Sequence, residues 1–476
     1  MEYLSPLTLA SRFLYPLHRN LSPDKIVLYI SNFSESQGPA CYRDPGMKFL
    51  VREPTRTRWH LGRRAKSYVA GLLVGLSASC GAPSPPPSCS IKVLLVGLDG
   101  ASWNFIDPML ARGSLPNLRR LIDQGVRAPL KTIDPSLSVV VWTSMATGRT
   151  PAEHGLTGWD IVDEETGEPL LVSSSIRKVE ALWTILSRAK RSVGIVNWWA
   201  TWPAEPVRGF MVSDQFSRRE RAKLEEATFP RELGAELARI ESTEWPWMRR
   251  MLEEGKLRVL SDRSKPASEL ELTPARWKQA LFLYGHDLRG EHAALHLLST
   301  DRRPEYFAIL LGKIDVASHY MWEFLPVEKR DEVAFSRMLE PVYAHEDELL
   351  GRLLKYTDND TDVIIVSDHG FERTPKGYDH KESAPDGIFI ASGPGFRNGI
   401  ELAEVSVYDI APTVLHLMGL PVGRDLEGKV LEDALSLKRP IAWVDTHETG
   451  RFTPRALRSP IEERLKDQLR SLGYIH

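Results

Sequence analysis

The sequence predicts an α/β protein whose central sheet is mostly parallel, with helices on both faces of the sheet. Three runs, residues 93–98, 309–314 and 363–367, are predominantly apolar and rich in β-branched side chains. Such runs are typical of parallel strands that are covered on both faces. From Ser90 onward these runs alternate with segments of helical spacing, and strands that alternate with helices form a parallel sheet.

Each of the three runs leads into an aspartate, namely Asp99, Asp315 and Asp368. Ligands bind at the carboxyl ends of parallel strands, so we expect one site to collect all three carboxylates. Two of the three have a histidine close behind, His319 and His369. Carboxylate with imidazole suits zinc, manganese or iron, whereas calcium and magnesium prefer oxygen ligands alone. The pattern therefore predicts bound metal ions.

The composition of the chain limits the classes of partner and metal site that we expect. The 476 residues carry 61 Lys plus Arg against 63 Asp plus Glu, a formal charge of -2, so no polymeric nucleic acid partner is expected. The three cysteines, Cys41, Cys80 and Cys89, all lie in the first fifth of the chain. A metal site in the main body must therefore be built from oxygen and nitrogen.

The amino-terminal region resembles a bacterial lipoprotein signal peptide. Basic residues at 63–66 precede an apolar stretch at 68–76, and small residues lead to Cys80. A stable membrane anchor needs about 20 apolar residues, so this stretch favours cleavage and lipidation of Cys80. The Pro/Ser-rich residues 81–88 would be the tether. We expect export and lipid anchoring to a bacterial membrane, on the periplasmic or extracellular face; the alternative is a buried helix.

The pattern divides the chain into an extension, residues 1–89, and a main domain, residues 90–476. Met47 is the more natural start beside the signal peptide, so we interpret the preceding residues as an over-extended translation start. Residues 217–300 are charged and helix-prone, with the clearest helix at 232–240. This helical insertion either caps the open end of the sheet and selects substrate, or is simply solvated.

The spacing of apolar residues predicts further helices and a strand in the main domain. Residues 118–124 predict a helix with Gly125 as its C-cap, and residues 179–186 predict a helix before a strand at 193–196. Residues 465–473 predict a closing amphipathic helix.

The last motif is the segment 135–148, which contains Ser138 and Trp142 and ends on Thr147 and Gly148. Together with the three aspartate runs, it resembles the alkaline phosphatase superfamily, most closely the type I phosphodiesterase and nucleotide pyrophosphatase branch. The resemblance covers residues 91 to about 430. The other matching segments are 315–322, 368–370, 385–389, 393–395 and 408–413.

This resemblance implies an alkaline phosphatase-like fold, two divalent metal ions and a small phosphoester substrate. Zinc is the metal that the family leads us to expect, and manganese would satisfy the same ligands. The ligands implied for the first ion are Asp99, Asp368, His369 and the Ser138 hydroxyl. Those implied for the second ion are Asp315, His319 and His380.

Ser138 is, by the same resemblance, the nucleophile. It would attack phosphorus in line to form a phosphoseryl intermediate, which water then hydrolyses, with the ions activating the hydroxyl and stabilising the leaving oxygen. Two assignments have alternatives. Ser138 is also a natural helix N-cap, and His416 or His447 could replace His380.

Departures from the family pattern limit the function. Nucleotide pyrophosphatases have an asparagine three positions after the nucleophile, where this chain has Val141. The proline and arginine that sulfatases need after the nucleophile are missing, which argues against sulfate ester hydrolysis. The expected function is a phosphodiesterase-like hydrolase. The alternatives are a transferase of phosphoryl-linked groups to membrane glycans, or a binding protein without catalysis.

Tryptophans are frequent near the predicted site. They would either line an aromatic pocket or, as is more common in large α/β domains, pack in the core. We expect the core for most of them. These residues are Trp142, Trp159, Trp198, Trp199 and Trp202.

Overall fold

A computed structural model of the chain describes residues 90–471, with eleven interruptions. The signal-like segment and Cys80 lie outside the described residues, as does most of the segment 217–300. The interruptions are 163–166, 217–225, 241–257, 260–270, 273–287, 325–331, 375–376, 381–383, 437, 451–454 and 460–461.

The described part alternates strands and helices. The strands are Val93–Leu98 (β1), Gly125–Lys131 (β2), Asp160–Val162 (β3), Pro169–Leu171 (β4), Val193–Val196 (β5), Gly209–Val212 (β6), Thr228–Phe229 (β7), Arg258–Val259 (β8), Glu271–Leu272 (β9), Tyr306–Leu311 (β10), Asp362–Val366 (β11), Glu372–Thr374 (β12), Gly377–Asp379 (β13), Gly387–Ser392 (β14), Ile400–Glu401 (β15), Val405–Ser406 (β16), Val422–Gly423 (β17) and Trp443–Val444 (β18). The helices are Trp103–Ala111 (α1), Pro116–Asp123 (α2), Ser138–Thr147 (α3), Pro151–His154 (α4), Leu182–Arg188 (α5), Leu233–Leu237 (α6), 288–299 (α7), Lys313–Phe324 (α8), Glu332–Leu353 (α9), Ile410–Leu417 (α10) and Glu462–Ser471 (α11).

Ten strands form the central sheet, in the order β15-β2-β14-β11-β1-β10-β5-β6-β7, with β16 also paired to β2. The pairings from β11 through β6 are parallel. Strand β14 runs antiparallel to β11 and β2, and β7 runs antiparallel to β6. The predicted α/β class with a mostly parallel sheet is therefore confirmed.

Both faces of the three central strands are buried. Along β1, Leu94 and Val96 pack against one hydrophobic core, and Val93 and Leu95 pack against a second. Helices α1, α2, α7 and α9 cover the first core, and α3, α5 and α10 cover the second. Because successive side chains on a strand point to opposite faces, two cores require apolar residues at every position. This arrangement explains the apolar runs.

Gly125 has a different role from the predicted C-cap. Helix α2 ends with Gln124 as its cap, and Gly125 begins β2. A Cβ at Gly125 would lie 2.0 Å from the carbonyl oxygen of Ala391 on β14, so the residue must lack a side chain. Close strand packing, rather than a left-handed helix end, explains this glycine.

Among the described residues, no helix is both long enough and apolar enough to cross a membrane.

Asp362 should make stability pH-dependent. This carboxylate begins β11, is buried and accepts a 2.7 Å hydrogen bond from the Gly395 N–H, and burial raises its pKa to about 6. Since the unfolded pKa is about 3.9, the stability contributed by the neutral acid is present below about pH 4 and is lost as pH rises through about 6. Asp362→Asn should therefore be more stable than the parent at pH 7, by up to about 3 kcal/mol.

Urea unfolding at pH 4, 5 and 7 measures this difference, with the exposed Asp360→Asn as control. The gain should vanish near pH 4. A difference between Asp362→Asn and the parent that stays constant over this range would contradict the assignment.

Candidate metal centre

The three predicted aspartates meet because their strands are neighbours. Strand β1 lies between β10 and β11, so Asp99, Asp315 and Asp368 follow three adjacent carboxyl ends. Main-chain hydrogen bonds join the ends: Asp315 N donates to Asp99 O over 3.0 Å. Gly100, with φ of +74°, donates its N–H to Asp368 Oδ1 over 3.2 Å. This left-handed turn favours glycine.

The first group of side chains surrounds Ser138. Its Oγ lies 3.3 Å from Asp99 Oδ1 and 3.4 Å from His369 Nε2. His369 Nε2 lies 3.2 Å from Asp368 Oδ2, and all four residues are buried. Ser138 is the first residue of α3, whose N-cap is Leu137. Its hydroxyl therefore faces the carboxylate and the imidazole rather than capping the helix.

The second group lies beside the first. Asp315 and His319 stand one turn apart on α8, with His319 Nε2 3.5 Å from Asp315 Oδ1. His380 Nε2 lies 3.7 Å from the same oxygen and 3.1 Å from His319 Nε2. The His369 and His380 rings stack with centroids 3.7 Å apart, so the two groups form one continuous cluster.

The alternatives to His380 lie elsewhere. His416, on α10, lines a surface cavity of about 710 Å³ with Arg397 and Arg439. His447 donates from Nε2 to the carbonyl oxygen of Pro421 over 3.0 Å. The structure thus brings all seven predicted site residues together, with His380 as the third histidine.

Gly370 supports the site in a way that the sequence did not predict. Its backbone is not left-handed, so a positive φ is not the reason for a glycine here. A Cβ at Gly370 would instead lie 3.0 Å from the side chain of Ser102 and 3.2 Å from the Asp386 carbonyl oxygen. Close approach of other chain segments explains the glycine.

The carboxylates of the site are held in an unfavourable environment. Burial raises the pKa of Asp99, and the charges of Asp368 and Asp315 raise it further. Burial, followed by the charge of Asp315, also raises the pKa of Asp368. Several buried carboxylates in contact repel each other unless a cation compensates them.

The histidines offer lone pairs to such a cation. Burial lowers the pKa of His369 to about 3 and that of His380 well below its usual value, so both rings are neutral. Their Nδ1–H groups donate to the carbonyl oxygens of Gly370 and Ser136, which leaves each Nε2 unprotonated toward the carboxylates. Asp368 Oδ2 accepts no hydrogen bond from any described residue, although His369 Nε2 is 3.2 Å away. Two facing acceptors fit a divalent metal ion between them.

Two tryptophans contribute polar contacts that sequence reasoning missed. Trp142 and Trp199 each donate an indole N–H to Asp99 Oδ2, both over 3.1 Å. Trp142 and Trp198 are buried in the core, as expected for most tryptophans, while Trp199 is half-buried. No spacing rule links these indoles to Asp99, because the contact depends on the tertiary structure.

Val141 lies in the core and offers no donor. It is fully buried in the core, at the position where the resemblance led us to expect an asparagine. The Val141 side chain therefore does not take part in the site.

A second buried cluster resembles a metal site but is already neutralised. Glu291, His345 and Glu346 come close enough to share an ion. However, the Lys313 ammonium contacts Glu291 and lies 3.4 Å from Glu346, and Arg352 lies 3.6 Å from Glu291. Two cations balance two carboxylates, and a divalent ion would leave excess buried positive charge. This cluster is an ion-pair network that connects α7, α8 and α9.

Solved structures with a similar chain trace include two mammalian proteins. Human ectonucleotide pyrophosphatase/phosphodiesterase 5 is 13% identical with a TM-score of 0.46, and the match covers 73% of this chain and 100% of that one. An inactive murine form of that protein, in complex with AMP, is 13% identical with a TM-score of 0.45 and the same coverage.

The family model described as type I phosphodiesterase/nucleotide pyrophosphatase matches residues 93–405, which is more than half of the chain. The match spans β1, α3, β10 and β11, and thus every residue of the clustered site. The chain therefore belongs to the type I phosphodiesterase/nucleotide pyrophosphatase family of the alkaline phosphatase superfamily, a family of phosphoester hydrolases.

Proposed function

We propose that this protein is a two-metal phosphodiesterase of the nucleotide pyrophosphatase type that acts through a phosphoseryl intermediate. The observation that carries the proposal is the position of the Ser138 hydroxyl. It lies at the start of a buried helix, within 3.4 Å of both Asp99 and His369, at the edge of a cluster of carboxylates and neutral imidazoles. A serine in such surroundings is suited to nucleophilic attack on phosphorus.

The side chains divide into two ligand sets. Bound divalent ions, zinc or manganese, would lower the pKa of the Ser138 hydroxyl and balance the charge on the leaving oxygen. The first set is Asp99, Ser138, Asp368 and His369. The second set is Asp315, His319 and His380.

The proposed reaction has two steps, in which Ser138 first takes the phosphoryl group and then passes it to water. Ser138 Oγ loses its proton to solvent and forms a bond to phosphorus as the bond to the leaving alkoxide breaks, and the alkoxide takes a proton from water. A second water then attacks phosphorus, which breaks the bond to Oγ, restores the serine hydroxyl and releases the phosphomonoester. Since the Val141 side chain has no donor, we propose that the N–H groups of Ser138 and Val139, at the start of α3, hold a phosphoryl oxygen. They precede the first hydrogen bonds of the helix, which Val140 and Val141 donate to the Leu137 carbonyl oxygen, and a helix amino terminus favours an anion.

We also propose that the protein is exported and anchored through lipidated Cys80. The support is the order of basic, apolar and small residues before Cys80 and the Pro/Ser-rich segment after it. An anchor of this kind would hold the hydrolase close to substrates at the membrane surface.

Ser138→Ala should abolish turnover. Loss of the nucleophile is expected to lower kcat by at least about 10³-fold, because the covalent step has no substitute. The measurement is hydrolysis of a chromogenic phosphodiester and of the matching monoester by the full chain with zinc or manganese. Ser144→Ala is the control, since Ser144 lies on the same helix but bonds to Val140 and His154.

Preference for the diester, lost in Ser138→Ala and kept in Ser144→Ala, is the expected result. Equal activity of the parent and Ser138→Ala would contradict the nucleophile. If a glycan is added to the assay and the phosphoryl-linked group is found on a glycan hydroxyl, with no hydrolysis product, the protein would be a transferase instead.

Removing metal should destabilise the parent. After exhaustive chelation, zinc added at about a thousandfold excess over Kd should raise Tm by about 5 °C or more, since binding to the native state alone stabilises it. Asp368→Asn should gain less from zinc, yet its metal-free form should be more stable than that of the parent, because a buried charge is gone. Scanning fluorimetry with Asp360→Asn as control tests both; no zinc effect on the parent would refute the metal assignment.

Cys80 should determine membrane association. Cys80→Ser is expected to move the protein from the membrane fraction to the soluble fraction, because a cysteine is needed for lipidation. Fractionation of bacteria that express the full-length gene measures this, with Cys89→Ser as control. A parent protein found only in the soluble fraction would contradict the anchor.

A further inference from the structure

We propose that Trp142 and Trp199 are positioning residues of the metal centre, which hold Asp99 so that only its Oδ1 faces the metal and Ser138. The inference rests on the proposed two-metal function. It concerns how the first ligand set is oriented, and it adds two residues to the seven discussed above.

The two oxygens of Asp99 have separate surroundings. Oδ2 accepts both indole N–H groups, each over 3.1 Å. Oδ1 lies 3.3 Å from Ser138 Oγ and 3.7 Å from His369 Nε2. With its lone pairs engaged by two donors, Oδ2 is a poor metal ligand, so Asp99 should bind through one oxygen.

Trp142 reaches Asp99 because of its place on α3. It lies one turn after Ser138, so the same helix face carries the nucleophile and the donor to Asp99. Its ring packs directly on β1, where a Cβ at Gly97 would lie 2.7 Å from the indole. Its carbonyl oxygen accepts the Trp198 N–H over 3.1 Å, which joins it to the next segment.

Trp199 reaches the same oxygen from β5, although β10 separates β5 from β1. The loop that carries it is bounded by two non-glycine residues in left-handed conformations, Asn197 with φ of 59° and Ala200 with φ of 55°. Such conformations cost about 1–2 kcal/mol and persist only where the surroundings impose them. The Trp199 ring is supported by Trp159, with centroids 5.0 Å apart at 82°.

The two indole hydrogen bonds hold Asp99 in place against the repulsion between the carboxylates of the cluster. Asp99 lies in a group with Asp315 and His369, close to a third carboxylate. Without a fixed orientation, its side chain would rotate away from the other acids. Two donors that approach from separate elements keep Oδ1 directed at Ser138.

The test uses indole-to-phenyl substitutions, which keep an aromatic ring and remove the N–H donor. Trp199→Phe is the first variant, because Trp199 is only half-buried, and Trp142→Phe is the second. Trp183→Phe is the matched control, since its indole donates to another carboxylate, Glu205 Oε2, over 2.8 Å. Zinc affinity is measured on the full chain by competition with a chromophoric chelator, and circular dichroism checks the fold.

We expect two zinc equivalents in the parent, with one weakened about 10–100-fold in Trp199→Phe and the other unchanged, as is typical when a partner of a metal ligand is lost. Trp183→Phe should match the parent. The inference would be overturned if Trp199→Phe bound both zinc equivalents with an affinity within about twofold of the parent. It would also be overturned if Trp183→Phe weakened zinc binding equally, or if the parent bound no zinc. A parent that binds zinc and hydrolyses neither ester contradicts only the proposed function. Selective weakening of zinc binding in Trp199→Phe would still support the positioning role of the two tryptophans.

Discussion

Repulsion between buried carboxylates is the constraint on which the arrangement of this site depends. Asp99, Asp315 and Asp368 lie buried near the ends of adjacent strands, where burial and the charges of Asp368 and Asp315 raise the pKa of Asp99, and burial and the charge of Asp315 raise that of Asp368. The nearby histidines do not neutralise them, because burial keeps His369 and His380 uncharged. Neutral imidazoles directed at carboxylates are the donors that divalent cations use, which is why we propose that cations complete the site.

The register of the sheet imposes this proximity. Strands β10, β1 and β11 are parallel and in step, so Leu98 lies beside Leu311 and Asp99 follows directly. The main-chain bond from Asp315 to Asp99 leaves little freedom to separate the two carboxylates. Because both faces of these strands are buried, a change in register would disrupt two hydrophobic cores at once. Core packing thus supports the electrostatically unfavourable site.

The fold class, and the aspartates and histidines of the site, could be predicted from the sequence, because an apolar strand that leads into an aspartate is a local pattern. It could not choose among His380, His416 and His447, since that choice depends on how Ser136 and the strands meet in space. It also placed Gly125 as a helix cap, where strand contact was the reason for the glycine. The indole bonds to Asp99 are entirely tertiary, and no pattern of residues along the chain could indicate them.

The two acidic clusters in this chain show why ligand-like geometry alone does not identify a metal site. Glu291, Glu346 and His345 approach each other as closely as the catalytic candidates do, but Lys313 and Arg352 already supply the opposing charge. Around Ser138, the ion-pair partner that the described residues offer to Asp99 and Asp368 is His369, not a lysine or arginine. The opposing charge of Lys313 and Arg352 therefore separates the Glu291 cluster from the one around Ser138, and it is the latter that we propose binds metal beside the nucleophile.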